Sequence, residues 1–489
     1  MSTLALTEPR AQQTVAALRV GPWLLPAFVS TVAGLVSLRP ALDPDFGWHL
    51  RAGEAILQNH SPSRTDVFSY TMAGRSWADF EWLWEAGLAA LHRSMGNLGP
   101  ITANALLSAS IVLLVYGYLR ARAAGSVFAA FGTLAALLNL VPYADVRPGM
   151  AGPFFLGLFL LVFELARQSG NRRWLLLLIP AQLVWANTHG SYLQGVLLCA
   201  AYGLGSAWDQ KRWKAAWHWV GLGCALIGIS LLNPLGPGLL GFTLGASRMA
   251  WNRDHNGEWL APNFHQPAFW PLLCTLLLLV ALLTVRRERS LPKVQLLLLI
   301  GGSLGALQST QFVPFFAVAA APILAHVLES VVGQPVTLRL KPAHGVGFGT
   351  VLALLLLIAG RGLQPAAYQA AIEKEYPTAA LAYIQSHELA GPIFNEFDWG
   401  SYMMSALPDV PVFVDGRTEM YGDSFLQTYM DVMTGHAPAK PLFDAYGIRL
   451  VLIRPDSALA NELRQDPSWS ESYRDEVASV FVPASGAGG

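Results

Sequence analysis

"LDPDFGWHLRAGE", residues 42–54, is the stretch on which the reading of this chain turns. It follows directly on an apolar run at about 21–38 and brings Asp43, Asp45, His49, Arg51 and Glu54 close together. Charged groups beside a bilayer need water or partners. The stretch therefore either begins a solvated loop or forms the working end of a site. The apolar run before it exceeds the roughly 7–15 residues of a signal-peptide core, so it reads as an uncleaved first span.

The rest of the chain agrees. Of its 489 residues 53% are apolar and 13% charged, against roughly 25% charged in soluble domains. Most of the chain belongs in lipid. With 32 basic and 32 acidic residues the net charge is zero, and no nucleic-acid partner is expected. Cys199, Cys224 and Cys274 all lie in apolar runs, with no disulfide framework or CxxC pattern.

Further spans are expected near 100–120, 124–141, 149–167, 173–188, 190–208, 215–233, 268–286, 291–307, 310–330 and 344–361. The predicted fold class is a multispanning α-helical membrane protein of about eleven spans. With Arg10 and Arg19 in the cytoplasm, alternate connections should be basic. They carry Arg120 and Arg122; Arg167, Arg172 and Arg173; Lys211, Arg212 and Lys214; Arg286, Arg287, Arg289 and Lys293; Arg339 and Lys341. Among the short opposite connections, one holds Arg147 and two others lack Lys and Arg. The expected location is the inner (plasma) membrane, multi-pass, with a cytoplasmic N-terminus and an extracytoplasmic C-terminal part.

A membrane domain over 1–361, with a first outer loop at 39–99, is thus expected to precede an outer domain over 362–489. In that tail "TAALAYIQSH", "DSFLQTYMDVM" and "KPLFDAYG" read as helices, and "GPIFNEF", "DVPVFVDG" and "IRLVLIRP" as strands. The alternation predicts a small α/β domain with a largely parallel sheet.

Polar residues gather at one side of the spans. "YADVRPG" supplies Asp145 and Arg147, and "WANTHGSYLQG" supplies Asn187, His189, Tyr192 and Gln194. "LLNPLG" gives Asn233. "WNRDHNGEWLAPNFH" gives Arg253, Asp254, His255, Glu258 and His265, and "LQSTQF" gives Gln308 and Gln311. Loops are polar because water is there, which accounts for any one of these singly. As a group they favour a cavity, because the short connections nearly lack Lys and Glu, the usual solubilising residues.

Within the opening stretch Pro44 holds Asp43 extended, and Asp45 stands at the N-cap position of a helix over about 46–59. Phe46, Leu50, Gly53 and Leu57 share one face, suited to the membrane surface, with His49 beside it and Arg51 opposite. "FEWLWEAGLAALHR" predicts a second interfacial helix, with Trp82 and Trp84 at headgroup level. A cap explains Asp45 but not Asp43. Two carboxylates one residue apart suit proton transfer or metal binding, and Arg51, Arg147 or Arg253 suits a phosphate.

A divalent metal on Asp43, Asp45, His49 and His189 is the lesser reading, since no HExxH-like spacing supports it. No cofactor is required. "FVDGRTEMYGD" places Asp415, Arg417 and Glu419 at the carboxyl end of an expected strand, where ligands bind in open sheets. A turn-forming Asp-Gly followed by surface charges explains them equally. Walker A, GxGxxG and GxSxG motifs are absent from the sequence.

An acidic pair after span one, two interfacial helices and an outer C-terminal domain together resemble the GT-C class of integral-membrane glycosyltransferases. "DPDFGWHLRAGE", "SRTDVFSYTMAGRSWADFEWLWE", "VRPGMAGPFFLGLFLLVFE", "VWANTHGSYLQG" and "LLNPLGPGLL" are similar to a bacterial GT-C-like group, as are "FNEFDWGSYMMSALPDVPVFVDGRTEMYGDSF" and "LVLIRPDS". The resemblance implies inverting transfer of a sugar from a polyprenyl-phosphate donor to a glycan, lipid or protein acceptor on the outer face. Asp43 or Asp45 would be the general base. His49, Arg51, Arg147, Asn187, His189, Arg253, Glu258, His265, Gln308 and Gln311 are the candidates for holding the donor's phosphate and sugar. Many enzymes of the class have an adjacent Asp-Glu pair here; this chain has Asp-Pro-Asp. The rival readings are a transporter or flippase for an amphiphilic substrate, which calls for midplane polarity and repeats, and a noncatalytic assembly protein of the same fold.

Overall fold

A computed structural model of the protein describes residues 24–484 apart from 78, 123, 287–290, 334–335 and 337–341; of 342 and 343 only the backbone is described. Arg10, Arg19, Arg287, Arg289, Arg339 and Lys341, which entered the charge alternation, lie outside the described residues.

The chain opens with α1 (Leu24–Val36) and crosses the first loop through α2 (Phe46–Asn59) and α3 (Trp82–Met95). Then come α4 (Leu98–Ala121), α5 (Ser126–Leu140), α6 (Ala151–Ser169), α7 (Leu178–Ala186), α8 (Leu193–Gln210) and α9 (Trp217–Ser230). The short α10 (Gly238–Ala246) and α11 (Ala250–His255) lead to α12 (Trp270–Val285), α13 (Lys293–Gln308), α14 (Val313–Val332) and α15 (Pro342–Gly362).

Among the described residues six helices are long and apolar enough to cross a membrane: Leu98–Ala121, Ser126–Tyr143, Pro148–Ser169, Pro267–Val285, Thr310–Val332 and His344–Gly362. The helices α1 and α13 are apolar but shorter. The spans expected at 173–188 and 215–233 contain α7 and α9, of only 9 and 14 residues. The one expected at 190–208 is α8, which ends on the polar pair Asp209 and Gln210. The helical membrane fold stands; a count of eleven does not follow from helix length.

Small residues let the long helices approach. A Cβ on Gly132 of α5 would lie 2.7 Å from the Ala321 carbonyl oxygen of α14, a helix whose Ala317, Ala319, Ala320, Ala321 and Ala325 are all buried. Close backbone packing of this kind holds helices together where lipid offers no hydrophobic drive.

The tail comprises α16 (Pro365–Glu375), α17 (Thr378–Ser386), β1 (Ile393–Asn395), α18 (Gly400–Ala406), α19 (Thr418–Tyr421), α20 (Asp423–Met433) and α21 (Ala439–Tyr446). It continues with β2 (Leu450–Ile453), α22 (Ala458–Gln465), β3 (Trp469–Arg474) and β4 (Ser479–Pro483). The strand order is β1-β2-β4-β3. Only β1 and β2 run parallel; β2–β4 and β3–β4 are antiparallel, which corrects the expectation of a largely parallel sheet. The cause is a terminal hairpin, turned where the Asp475 carboxylate accepts from the Val477 and Ala478 amides, both at 2.7 Å.

The strand expected in "DVPVFVDG" also stays out of this sheet. The Asn395 side chain takes its backbone, accepting from the Phe413 amide at 2.8 Å and donating to the Val414 carbonyl at 2.8 Å. On its other side Val412 pairs with the first loop: the Tyr70 amide donates to the Val412 carbonyl and the Val412 amide to that of Phe68. The tail is thereby stitched to the loop that carries the opening stretch.

The helix α2 lies between α3 and α18. A Cβ on Gly53 would fall 2.0 Å from the Glu85 carbonyl oxygen, and one on Gly47 2.0 Å from that of Ser401. Backbone contact this close tolerates no side chain. Gly47→Ala should destabilise the protein by about 1–3 kcal/mol through forced separation of the helices. Thermal unfolding measures it, with Gly87→Ala, whose new methyl would meet open space, as the control that leaves the transition in place.

Candidate functional site

The site begins at the entry to α2. Asp43, not Asp45, shapes this turn: its Oδ1 accepts from the Asp45 amide at 3.0 Å. Asp45 makes no side-chain cap bond, contrary to the expectation from its position. Its Oδ1 instead accepts from Trp48 Nε1 at 2.9 Å. Gly416 of the tail presses on the same oxygen, for a Cβ there would lie 1.8 Å away. One oxygen of Asp45 is thus pinned from two sides, and Oδ2 has no hydrogen-bond partner among the described residues.

Arg147 reaches in from the connection between α5 and α6, its backbone leading straight into Pro148. Its guanidinium lies 3.6 Å from Asp43 Oδ2 and forms an ion pair with Glu258. Glu258 is held through its backbone, whose carbonyl accepts from Ser309 Oγ at 2.8 Å and from the Gln311 amide at 2.9 Å. Three regions far apart in the chain converge here.

They line one open cavity of about 860 Å³, within the range of small-ligand sites. Its wall carries seven acidic side chains (Asp43, Asp45, Asp79, Glu81, Glu85, Glu258 and Glu419) and three guanidinium groups, Arg75, Arg147 and Arg417. Burial, reinforced by the neighbouring Asp43 and Glu258 charges, pushes the Asp45 carboxyl up to about 8. Burial also raises Asp43, although Arg147 opposes it. For Arg147 burial works against the charge, but Asp43 and Glu258 outweigh it and keep the guanidinium protonated.

The two cavity histidines are neutral. Burial, then Arg147 and His189, holds His49 well below the usual imidazole range, and burial with Arg147 brings His189 down to about 3. His49 Nδ1 is 3.1 Å from Glu85 Oε1. His189 Nδ1 accepts from the Ser191 amide at 3.2 Å, which leaves the proton on Nε2, 4.0 Å from Glu81 Oε1. Both therefore offer a ligand hydrogen bonds rather than charge.

Of the residues singled out from sequence, Asp43, Asp45, His49, Arg147, His189, Gln194, Glu258, Gln311, Arg417 and Glu419 meet at this cavity. The others lie elsewhere. Arg51 pairs with Glu54 at 2.7 Å, and Arg253 pairs with Asp254 at the surface. His265 and Gln308 are exposed. Asn187 is buried in the scaffold, accepting from Trp82 Nε1 at 2.6 Å and donating to the Leu183 carbonyl at 2.8 Å. Asp43, Asp45, His49 and His189 form no metal-ligating group among the described residues.

Asp415 and Arg417 are not at a strand end but inside an ion-pair network. Arg417 donates to both Asp415 oxygens at 2.8 Å and to Asp66 at 2.7 Å, while Tyr421 donates to Asp415 at 2.6 Å. Its guanidinium also lies 4.8 Å from the Trp77 ring centre. Each of its three nitrogens donates to a buried carboxylate, so it holds the tail to the loop. Sequence reasoning missed Asp79, Glu81 and Glu85. The spacing of Glu81 and Glu85 by four puts both on one side of α3, but the tryptophans around them drew the reading toward the membrane surface.

No protein-family model and no curated protein matches this sequence. Solved structures share its fold. The archaeal oligosaccharyltransferase AglB from Archaeoglobus fulgidus, in complex with an inhibitory peptide and a dolichol-phosphate, superposes with a TM-score of 0.52 at 12% identity, over 88% of this chain and 69% of that one. ArnT from Cupriavidus metallidurans in the apo state gives 0.51 at 16% identity, over 94% and 97%. The same ArnT bound to undecaprenyl phosphate gives 0.50 at 15%, over 95% and 98%. The GT-C-like resemblance holds at the level of the fold.

Proposed function

We propose that this protein is a membrane glycosyltransferase that moves a sugar from a polyprenyl-phosphate carrier to an acceptor hydroxyl at the outer face. One observation carries the reading: Arg147 stands 3.6 Å from Asp43 in the same cavity as Asp45, in a fold whose solved neighbours hold dolichol-phosphate and undecaprenyl phosphate. The carrier's phosphate sits on Arg147, its lipid tail lies between the spans, and the sugar enters the cavity. The N-terminus is cytoplasmic, residues 362–489 form the outer domain, and eleven crossings satisfy the alternation of basic connections.

In this reading Asp45 is the general base. Its Oδ1 is fixed by Trp48 and its Oδ2 takes the acceptor's proton as the hydroxyl oxygen bonds to the anomeric carbon. The bond from that carbon to the phosphate oxygen breaks on the opposite side, with inversion. The leaving phosphate's negative charge meets Arg147, which Asp43 and Glu258 keep protonated and oriented. Polar groups come from loop helices and span ends rather than span middles, which favours an enzyme over a transporter.

The test is transfer from radiolabelled polyprenyl-phosphate sugars by protein reconstituted in liposomes. Arg147→Gln should weaken donor use by roughly 10–150-fold, the worth of a charge-assisted hydrogen bond of about 1.5–3 kcal/mol. Unaltered donor use in that variant would refute the phosphate assignment.

The pH profile gives a separate check. A base must be deprotonated to act, so kcat/KM should rise with pH and level off above the Asp45 value of about 8. Glu258 raises both aspartates by its charge and occupies Arg147. Glu258→Gln removes the one and frees the other, and both changes move the rising limb to lower pH. A limb that stays in place would remove Asp45 from the base role.

A further inference from the structure

Beside the aspartate–arginine centre the same cavity is lined by further carboxyls that the transfer chemistry leaves unused. Asp79 is 5% exposed, yet no protein N–H or hydroxyl donates to either of its carboxylate oxygens; Glu85 is 0% exposed and its Oε2 likewise receives none. The two carboxyls face each other within hydrogen-bonding reach. Glu81, from the turn that starts α3, is close enough to feel the charge of Asp79 and Asp45.

Buried carboxylates without donors are costly. Burial raises all three, Asp79 to about 6 and Glu81 and Glu85 well above the usual range. A proton shared between Asp79 and Glu85 lowers that cost, but it leaves oxygens without donors. The charge of Arg417 acts on Asp79 and Glu85 from a distance, but the guanidinium groups of the cavity donate elsewhere. Arg147 is taken by Asp43 and Glu258, Arg417 by Asp415 and Asp66, and Arg75 donates to Met72 Sδ at 3.2 Å.

Aromatic rings share the cavity. Trp48 and Trp77 line the same cavity and meet edge to face with centroids 6.1 Å apart. A cavity that holds both carboxylates and indole rings suits an organic ammonium group, through charge-assisted hydrogen bonds and ring quadrupoles. A metal ion would want at least three ligating side chains together, and no such group occurs among the described residues; an ammonium group can be held by the Asp79–Glu85 pair alone.

We propose that Asp79 and Glu85, with the charge of Glu81 nearby, form a subsite for a primary ammonium group on the substrate, so that the protein acts on an amine-bearing sugar or acceptor. The ammonium provides donors for the orphaned oxygens and displaces the proton held between Asp79 and Glu85, which passes to solvent. This subsite rests on the donor reading above only in its position beside the transfer centre.

Calorimetry on the full-length protein in nanodiscs at pH 7.5 tests it with polyprenyl-phosphate glucosamine, its N-acetylated form, and short-chain phosphatidylethanolamine against phosphatidylglycerol. The amine donor should bind at least tenfold more tightly than the N-acetylated donor. Its binding heat should vary with buffer ionisation enthalpy, reporting proton release. Asp79→Asn and Glu85→Gln should level the two donors, whereas Arg147→Gln should weaken both alike.

Preference for phosphatidylethanolamine with no donor preference would support the subsite and assign the amine to the acceptor. Equal binding of the two donors and of the two lipids would overturn the proposal while leaving the donor reading intact. Binding of none of the four would overturn both. A preference for the amine that survives both carboxylate substitutions, in variants with wild-type melting temperatures, would also overturn it.

Discussion

Asp45→Asn should lower the rate of sugar transfer by about 10²–10⁴-fold, the range that a positioned general base contributes, with donor binding nearly unchanged. The amide keeps the shape and can still accept from Trp48 Nε1, so the loss falls on proton transfer rather than on folding. Asp43→Asn should behave differently. Its Oδ1 holds the turn through the Asp45 amide and its Oδ2 faces Arg147, so both donor binding and rate should fall. Gly416→Ala provides a third arm. Its methyl would enter the space of Asp45 Oδ1, and it should imitate Asp45→Asn without replacing either aspartate. Single-turnover kinetics separates the three, and a faster Asp45→Asn than Asp43→Asn would exchange the roles given to the two residues.

Arg417→Met should destabilise the docking of the tail on the first loop by about 3–5 kcal/mol, because Asp66 and Asp415 would be left buried and unpaired. Both carboxylates are almost fully buried, so water cannot replace the lost donors. Limited proteolysis in detergent should then cut around 408–420 in the variant and spare the parent. Arg454→Met removes an arginine that pairs with Glu396 and Asp398 while 42% exposed. Its effect should stay below about 1 kcal/mol.

Much of this was legible before any coordinates. Apolar runs announced the long helices, and the short β-branched runs "PIF" and "LVLI" announced β1 and β2, because burial writes itself into composition. What remained hidden was set by partners distant in sequence. The segment "DVPVFVDG" has the composition of a strand, yet Asn395 and the first loop claim its backbone. Arg51 and Arg147 are the same residue type near acidic neighbours, but only Arg147 faces the cavity. The helix wheel had already turned Arg51 away from His49. Asp79, Glu81 and Glu85 went unread because carboxylates among tryptophans look like a membrane surface until the opposing wall is known.

The pairing of the first loop with the tail has a consequence for how the protein is made. The hydrogen bond between Arg417 and Asp66 joins residues 351 positions apart. At roughly 5–20 residues per second, synthesis takes about 20–70 s to cover that distance. Through that interval Asp43 and Asp45 are already made while the wall containing Gly416 does not exist. The cavity proposed for catalysis is therefore a product of the last stage of biogenesis. A chain stopped before the tail emerges should be an inserted but inert protein, and activity should appear as a late step that lags behind membrane insertion.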